Sequence, residues 1–190
     1  RETRKNLLAV AAGVLLIAEG FATGMTLAQA TGRSVAVAFA ANNLGPVAGN
    51  LKKHYRKARQ IICADDDWLQ KCAECKAYTP VIDAACAHCG KPHKKLNAGV
   101  QRASEAALAH GATWVRPEFS EPRPADRKGP TDFNDLAERE GEAVVRAQVE
   151  KVMLELKIAP SPAASPEKSA RENDAAPGGG GRPRAESVMS

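Results

Sequence analysis

Three aspartates in a row close an apolar run in "IICADDD" (61–67), and a glutamate closes an earlier run in "GVLLIAEG" (13–20). A further pair, Asp132 and Asp135, stands in "GPTDFNDLAEREG" after a later apolar run. Carboxylates brought together repel one another and lose hydration, so gathering them is unfavourable until a cation neutralises them. Hard oxygen ligands suit Mg2+ or Mn2+, which makes Glu19, Asp65, Asp67 and Asp132 the candidate ligands of a divalent-metal site. Asp65 and Asp67 are two residues apart and point the same way in an extended strand end. Asp66 then points away, and is expected in solvent or behind the metal ligands. The competing reading is that these acids are ordinary polar strand ends, with Asp132 capping a helix N-terminus.

A second chemistry lies in "CAECKAYTPVIDAACAHCGKPH", which holds Cys72, Cys75, Cys86 and Cys89 as two CxxC pairs. Each CxxC turn presents two sulfurs to one point, and two such turns complete the tetrahedral thiolate set of a structural zinc ion. With four thiols the site is closed, so its Zn2+ is structural and the reaction is sought among the acids. His88 and His93 are alternative ligands and read as surface residues. Disulfides are the competing reading, but paired CxxC units in a chain of this pattern favour zinc and a reducing, cytoplasmic compartment. Cys63, inside an apolar run, reads as a small buried hydrophobe.

The elements that must position these groups follow from the apolar pattern. Strand-like runs cover 13–18, 34–39, 60–64 and 112–115, and helical periods cover 23–30, 46–57, 98–110 and 141–157. In the last of these Val145, Val149, Val152 and Leu156 form one stripe. Strands apolar on both faces and separated by helices imply an α/β fold with a mostly parallel sheet. Ligands of such sheets bind outside the carboxyl ends of the strands, where the acids are expected to converge. The tract 7–18 behind Arg1, Arg4 and Lys5 has the outline of a signal peptide but is too short to span a bilayer; its second half reads as a strand, and no membrane association is expected. The chain opens with Arg1, so it reads as a piece of something longer. One domain is expected over 1–157, with a zinc-binding insert at 70–95 and a disordered tail at 158–190, where Pro, Gly, Ser and charge replace apolar residues.

A net charge of +5 and a pI near 9.0 suit a polyanionic partner without demanding one. The run "LKKHYRKARQ" offers Lys52, Lys53, Arg56 and Lys57 as a candidate nucleic-acid contact face, with a solvated helix surface as the competing reading.

The stretches "LLIAEGFATGMTLAQATG", "ICADDD" and "TDFNDLAEREG", in this order and at these separations, resemble a Toprim domain, the metal-binding catalytic fold of bacterial-type primases, type IA and type II topoisomerases and some nucleases. The likeness covers 13–141 and is greatest to Toprim proteins of plasmids, phages and integrative elements, often primase or primase-helicase polypeptides. It implies a four-stranded, mostly parallel sheet flanked by helices. It also implies that Glu19 acts at the reacting phosphate, as acid–base or metal ligand, while Asp65 and Asp67 hold Mg2+; the three form the implied catalytic set. The implied activity is nucleotidyl transfer that makes RNA primers on single-stranded DNA from nucleotides, with upstream primase or helicase domains as partners. A Toprim nuclease and a non-catalytic, zinc-containing nucleic-acid-binding module are the alternatives. This sequence departs from bacterial primases at Thr23, where they usually carry another acid, and in its late acidic pair, spaced as Asp132, Asn134 and Asp135.

Overall fold

The computed structural model describes residues 13–92 and 97–157. The first twelve residues, His93 and the expected tail at 158–190 lie outside them. The strands are β1 (Val14–Ala18), β2 (Ser34–Val37), β3 (Arg59–Cys63), β4 (Leu69–Lys71), β5 (Tyr78–Pro80) and β6 (Thr113–Val115). The helices are α1 (Phe21–Thr31), α2 (Leu44–His54), α3 (Ala98–His110), α4 (Phe133–Glu140) and α5 (Glu142–Glu155), with one 3-10 turn at Ala41–Asn43.

All five residues of β1 are buried, as a strand covered on both faces requires. It pairs in parallel with β2 on one side and β3 on the other, and β3 pairs in parallel with β6. The sheet order is therefore β2-β1-β3-β6. Alternate residues of β1 and β3 face opposite ways. Leu16 and Ile61 pack with Leu27 of α1, Phe133 and Leu136 of α4, and Val145 of α5. Ile17 and Ile62 pack against Leu44 and Ala48 of α2 and Ala103 and Ala106 of α3. Each fully buried Leu or Ile contributes about 1.5–3 kcal/mol relative to exposure, so these layers fix the sheet and leave its carboxyl edge free. Helices lie on both faces because right-handed crossovers place α1 on one side as the chain moves from β1 to β2, and α2 and α3 on the other as it moves back across.

Several boundaries differ from those the pattern implies. The second strand stops at Val37 because Phe39 takes a left-handed conformation at φ 62°. The second helix ends at His54, before the basic run is complete. Helix α4 was foreseen only through the competing reading of Asp132 as a helix cap and not by an apolar period, since only Phe133 and Leu136 of its eight residues are buried. In α5, Met153 joins Val145 and Val149 inside, while Val152 and Leu156 are partly buried. The insert forms an antiparallel hairpin, β4 with β5.

The start of α3 presses on the aspartate run. A Cβ at Gly99 would lie 2.2 Å from the Asp65 carbonyl oxygen, so only glycine lets the helix come this close. Gly99→Ala is expected to cost about 1–3 kcal/mol in urea denaturation. Gly45→Ala, where nothing lies within 4 Å, is expected to leave stability unchanged or raise it by up to about 1 kcal/mol.

Candidate functional site

The chain leaves β1 toward β2 and leaves β3 toward β6, in opposite directions. The carboxyl ends of β1 and β3 therefore flank the topological switch point, the crevice where open α/β sheets place ligands. Ala18 and Cys63 are register partners in adjacent strands, which brings Glu19 and the aspartate run side by side. The electrostatics record the crowding. Asp65 is pushed up to about 7, chiefly by burial and then by the carboxylates of Glu19, Asp132, Asp67 and Asp135. Its Oδ1 is buried with no hydrogen-bond partner. Glu19 is also raised, by burial and by Asp67, against a backbone N–H from Ala41 that favours its charged form.

Asp66 is not in solvent. It is 1 % exposed, and Arg123 Nη2 donates to its Oδ2 at 2.7 Å. Arg116 reaches Oδ1 at 3.5 Å, and the Asn97 side-chain amide also donates there. The backbone N–H of Asp66 donates to the Thr131 carbonyl at 2.7 Å. The Arg123 guanidinium sits 4.7 Å from the Trp68 ring and 5.3 Å from the Phe119 ring, contacts that add cation–π attraction to the ion pair. Asp66 is buried, between a half-buried Asp65 and an exposed Asp67. Its surroundings are protein interior rather than solvent because the loop 116–131 folds over it. The available signal was that an inward acid needs a cation, and that loop is rich in arginine.

Asp132 serves as cap and as neighbour of Asp65 at once. It is the N-cap of α4, its Oδ1 accepting the Asp135 N–H at 2.8 Å, while Asp135 Oδ2 accepts the Thr131 N–H at 2.7 Å. Thr23 Oγ1 donates to Asp132 Oδ2 at 3.1 Å, and Thr26 Oγ1 donates to Asn134 Oδ1 at 2.7 Å, tying α1 to α4 across the edge. Thr23 therefore orients the late acid instead of adding another. Phe39, 75 % exposed, precedes the turn that donates to Glu19 and was not singled out from sequence.

The four cysteines assemble as their spacing implies. Cys72 Sγ lies 3.7 Å from Cys89 Sγ, and Cys75 Sγ 3.6 Å from Cys86 Sγ. Sulfurs about 2.3 Å from a tetrahedral zinc stand about 3.8 Å apart, whereas a disulfide would need about 2.05 Å. Backbone N–H groups of Cys75 and Glu74 hold the Cys72 thiol below its usual range, and those of Cys89 and His88 draw Cys86 down to about 6. Against a backbone N–H from Ala77, burial and the neighbouring Cys86, Cys89 and Cys72 push Cys75 up to about 12, so the four share their protons in the protein alone, and thiolate is the form a metal takes. Among the described residues this is the one group of three or more His, Cys, Asp or Glu side chains gathered closely enough to hold an ion. The carboxylates of the sheet edge are neighbours but are not drawn together to that degree. His88 is exposed. Cys63 is fully buried, and burial raises its pKa far above the ordinary thiol range.

The basic run lies elsewhere. Helix α2 begins behind the carboxyl end of β2 and returns toward the amino end of β3, so Lys52 and Lys53 in its last turn stand at the edge opposite the acids. With Arg56 and His110 they line an open groove of about 1190 Å³, and Lys57 follows as an exposed residue. Among the described residues no helix is long and apolar enough to cross a membrane. No protein-family model, curated protein or solved structure matches the chain.

Purified protein is expected to carry one zinc per chain by elemental analysis, and Cys75→Ser to lose it. Hydrogen exchange should then show the hairpin opening while the sheet keeps its protection; a variant that retains zinc at full affinity overturns the ligand set. Asp65 makes a second test. Between its ordinary 3.8 and about 7 the folded protein holds a proton that the unfolded chain has released, so this group's contribution to stability falls as pH rises through that window. The melting temperature of the parent minus that of Asp65→Asn, without added Mg2+, is expected to decline from pH 4 to pH 8. Both proteins share the pH dependence of the cysteines, so the difference reports Asp65 together with its coupling to Glu19, Asp67, Asp132 and Asp135; a flat difference contradicts the assignment.

Proposed function

We propose that this chain is the Mg2+-dependent nucleotidyl-transfer domain, of Toprim type, of a mobile-element DNA primase, making RNA primers on single-stranded DNA. The observation that carries the reading is the Asp65 carboxylate, whose buried Oδ1 has no partner while four other acids raise its pKa. An arrangement that repels itself in the protein alone is relieved by a bound cation. Mg2+ keeps several of its waters and is typically held by one or two carboxylates together with substrate phosphates.

In this reading Asp65 and Asp67 hold the metal, with Asp132 beside them, oriented by Thr23. Bound Mg2+ would stabilise negative charge on the attacking and leaving oxygens of a phosphoryl transfer. Glu19 stands nearest the reacting phosphate. Its raised pKa suits it to take the proton from the primer 3′-hydroxyl as that oxygen bonds to the α-phosphorus and pyrophosphate leaves. Asp66 takes no direct part, because Arg123 already neutralises it. The Lys52 to Lys57 surface is the proposed contact for the nucleic-acid backbone on the far side of the sheet, the zinc hairpin a structural element, and upstream primase or helicase domains the proposed partners.

The deciding assay incubates the chain, and a longer parent protein, with single-stranded DNA, labelled ribonucleotides and Mg2+. Primer synthesis supports this reading, and shortening of the DNA identifies a nuclease built on the same acids. Glu19→Gln is expected to retain the melting temperature and its rise with millimolar Mg2+, yet to lose about a hundredfold or more in turnover. Unchanged turnover removes Glu19 from the chemistry, and a parent with neither Mg2+-dependent stabilisation nor activity leaves the zinc-containing binding module as the function.

A further inference from the structure

Residues 116–131 do more than cover Asp66. Their second half forms a loop closed at its neck. Gly129 lies so near Pro124 that a Cβ would sit 3.2 Å from its Cδ, and Arg123 Nη1 donates to the Pro130 carbonyl at 3.4 Å. Pro122, Pro124 and Pro130 fix φ along the way, so the tip that carries Arg127 and Lys128 is braced. The charges at that tip are available. Arg127 touches only its neighbour Asp126, at 3.4 Å, with their side chains 72 % and 77 % exposed, a contact of little energetic weight. Lys128 has no ion-pair partner among the described residues.

Between this tip and α4 lies an open pocket of about 890 Å³, lined by Arg127 and Lys128, by Arg139, which also pairs with Glu121 at 3.6 Å, and by Asp132 and Asp135. Its size falls within the range of small-molecule sites, about 300–1,000 Å³. Cations and acids in one pocket would cancel for a simple anion. They are complementary to an anion that brings its own divalent cation, with phosphate oxygens on the basic wall and the metal toward the acids. An extended nucleic-acid backbone fits less well, because Glu138 lines the pocket and Asp126 flanks the tip, and both would repel phosphates running out of it.

We propose that this pocket binds the phosphate chain of a metal-bound di- or triphosphate, with Arg127 and Lys128 as its binding cations and Arg139 supporting them from α4. The inference rests on the metal role given above to the acids and adds to it a phosphate subsite within this chain, on the same edge of the sheet. The ligand chemistry is common to inorganic triphosphate and a nucleoside triphosphate.

Isothermal titration calorimetry of the full 190-residue chain in Mg2+ separates the sources, using inorganic triphosphate, ATP and an oligothymidylate as titrants. The parent is expected to bind triphosphate saturably. Arg127→Ala with Lys128→Ala weakens that binding about tenfold or more, whereas Arg127→Lys with Lys128→Arg keeps most of it, and both leave the Mg2+-induced rise in melting temperature intact. Equal affinities for triphosphate and ATP mean that the phosphates alone are read; tighter ATP binding adds a nucleoside contact to the same subsite. The proposal is overturned if the parent does not bind triphosphate, if the alanine variant binds it as the parent does, or if that variant loses only the oligonucleotide. Triphosphate binding that needs Arg127 and Lys128 in a parent that Mg2+ does not stabilise would sink the metal reading of the acids and leave the phosphate subsite standing.

Discussion

A carboxylate that is 1 % exposed must find its counter-charge inside the protein, and Asp66 finds it in Arg123. Removing one partner of such a pair typically costs about 3–5 kcal/mol, because the other charge is left buried and alone. The contact joins three segments that are distant in sequence: the end of β3, the loop 116–131 and the residue that caps α3. Asn97 is the clearest sign of this coupling. Its side-chain oxygen accepts from the N–H of Asp67 and from that of Val100, and its amide donates to Asp66. The Asp66 carbonyl accepts the Trp68 N–H at 2.7 Å, a tight turn centred on Asp67, so the buried pair anchors the short segment that carries both Asp65 and Asp67.

The sheet supplies the other half of the arrangement. A parallel strand order that reverses between β1 and β3 places Glu19 next to the aspartate run whatever the side chains prefer, and apolar burial on both faces holds it there. Repulsion among the carboxylates is thus imposed by packing elsewhere, which is how a fold can hold a locally unfavourable constellation.

What was legible in the sequence follows the same division. Strand β1 is an unbroken apolar run, β3 ends in the apolar Ile61–Cys63, and the cysteine pairs carry their own geometry, so all could be read directly. Helix α4 could not, because its two buried residues make one contact and no period; its Asp132–Asp135 capping box was the better signal. Asp132 also shows that two readings of one acid need not compete, since a carboxylate has oxygens enough to cap a helix and face a crevice. The position of the basic run depended on the direction of α2, which is a property of the sheet order and not of the run. The role of Arg123 was hidden for a similar reason: nothing local links it to an aspartate 57 positions earlier.

Asn97 holds both Asp66 and Asp67, so the strand that leads into the zinc hairpin and the helix that leads out of it are joined at the base. A loop whose ends are pinned together transmits little of its own length to its host, since each doubling costs only about 0.6 kcal/mol in closure entropy. The position therefore behaves as a socket. A larger module, a different metal knuckle or a bare turn spliced in at this point would leave the acidic crevice as it is.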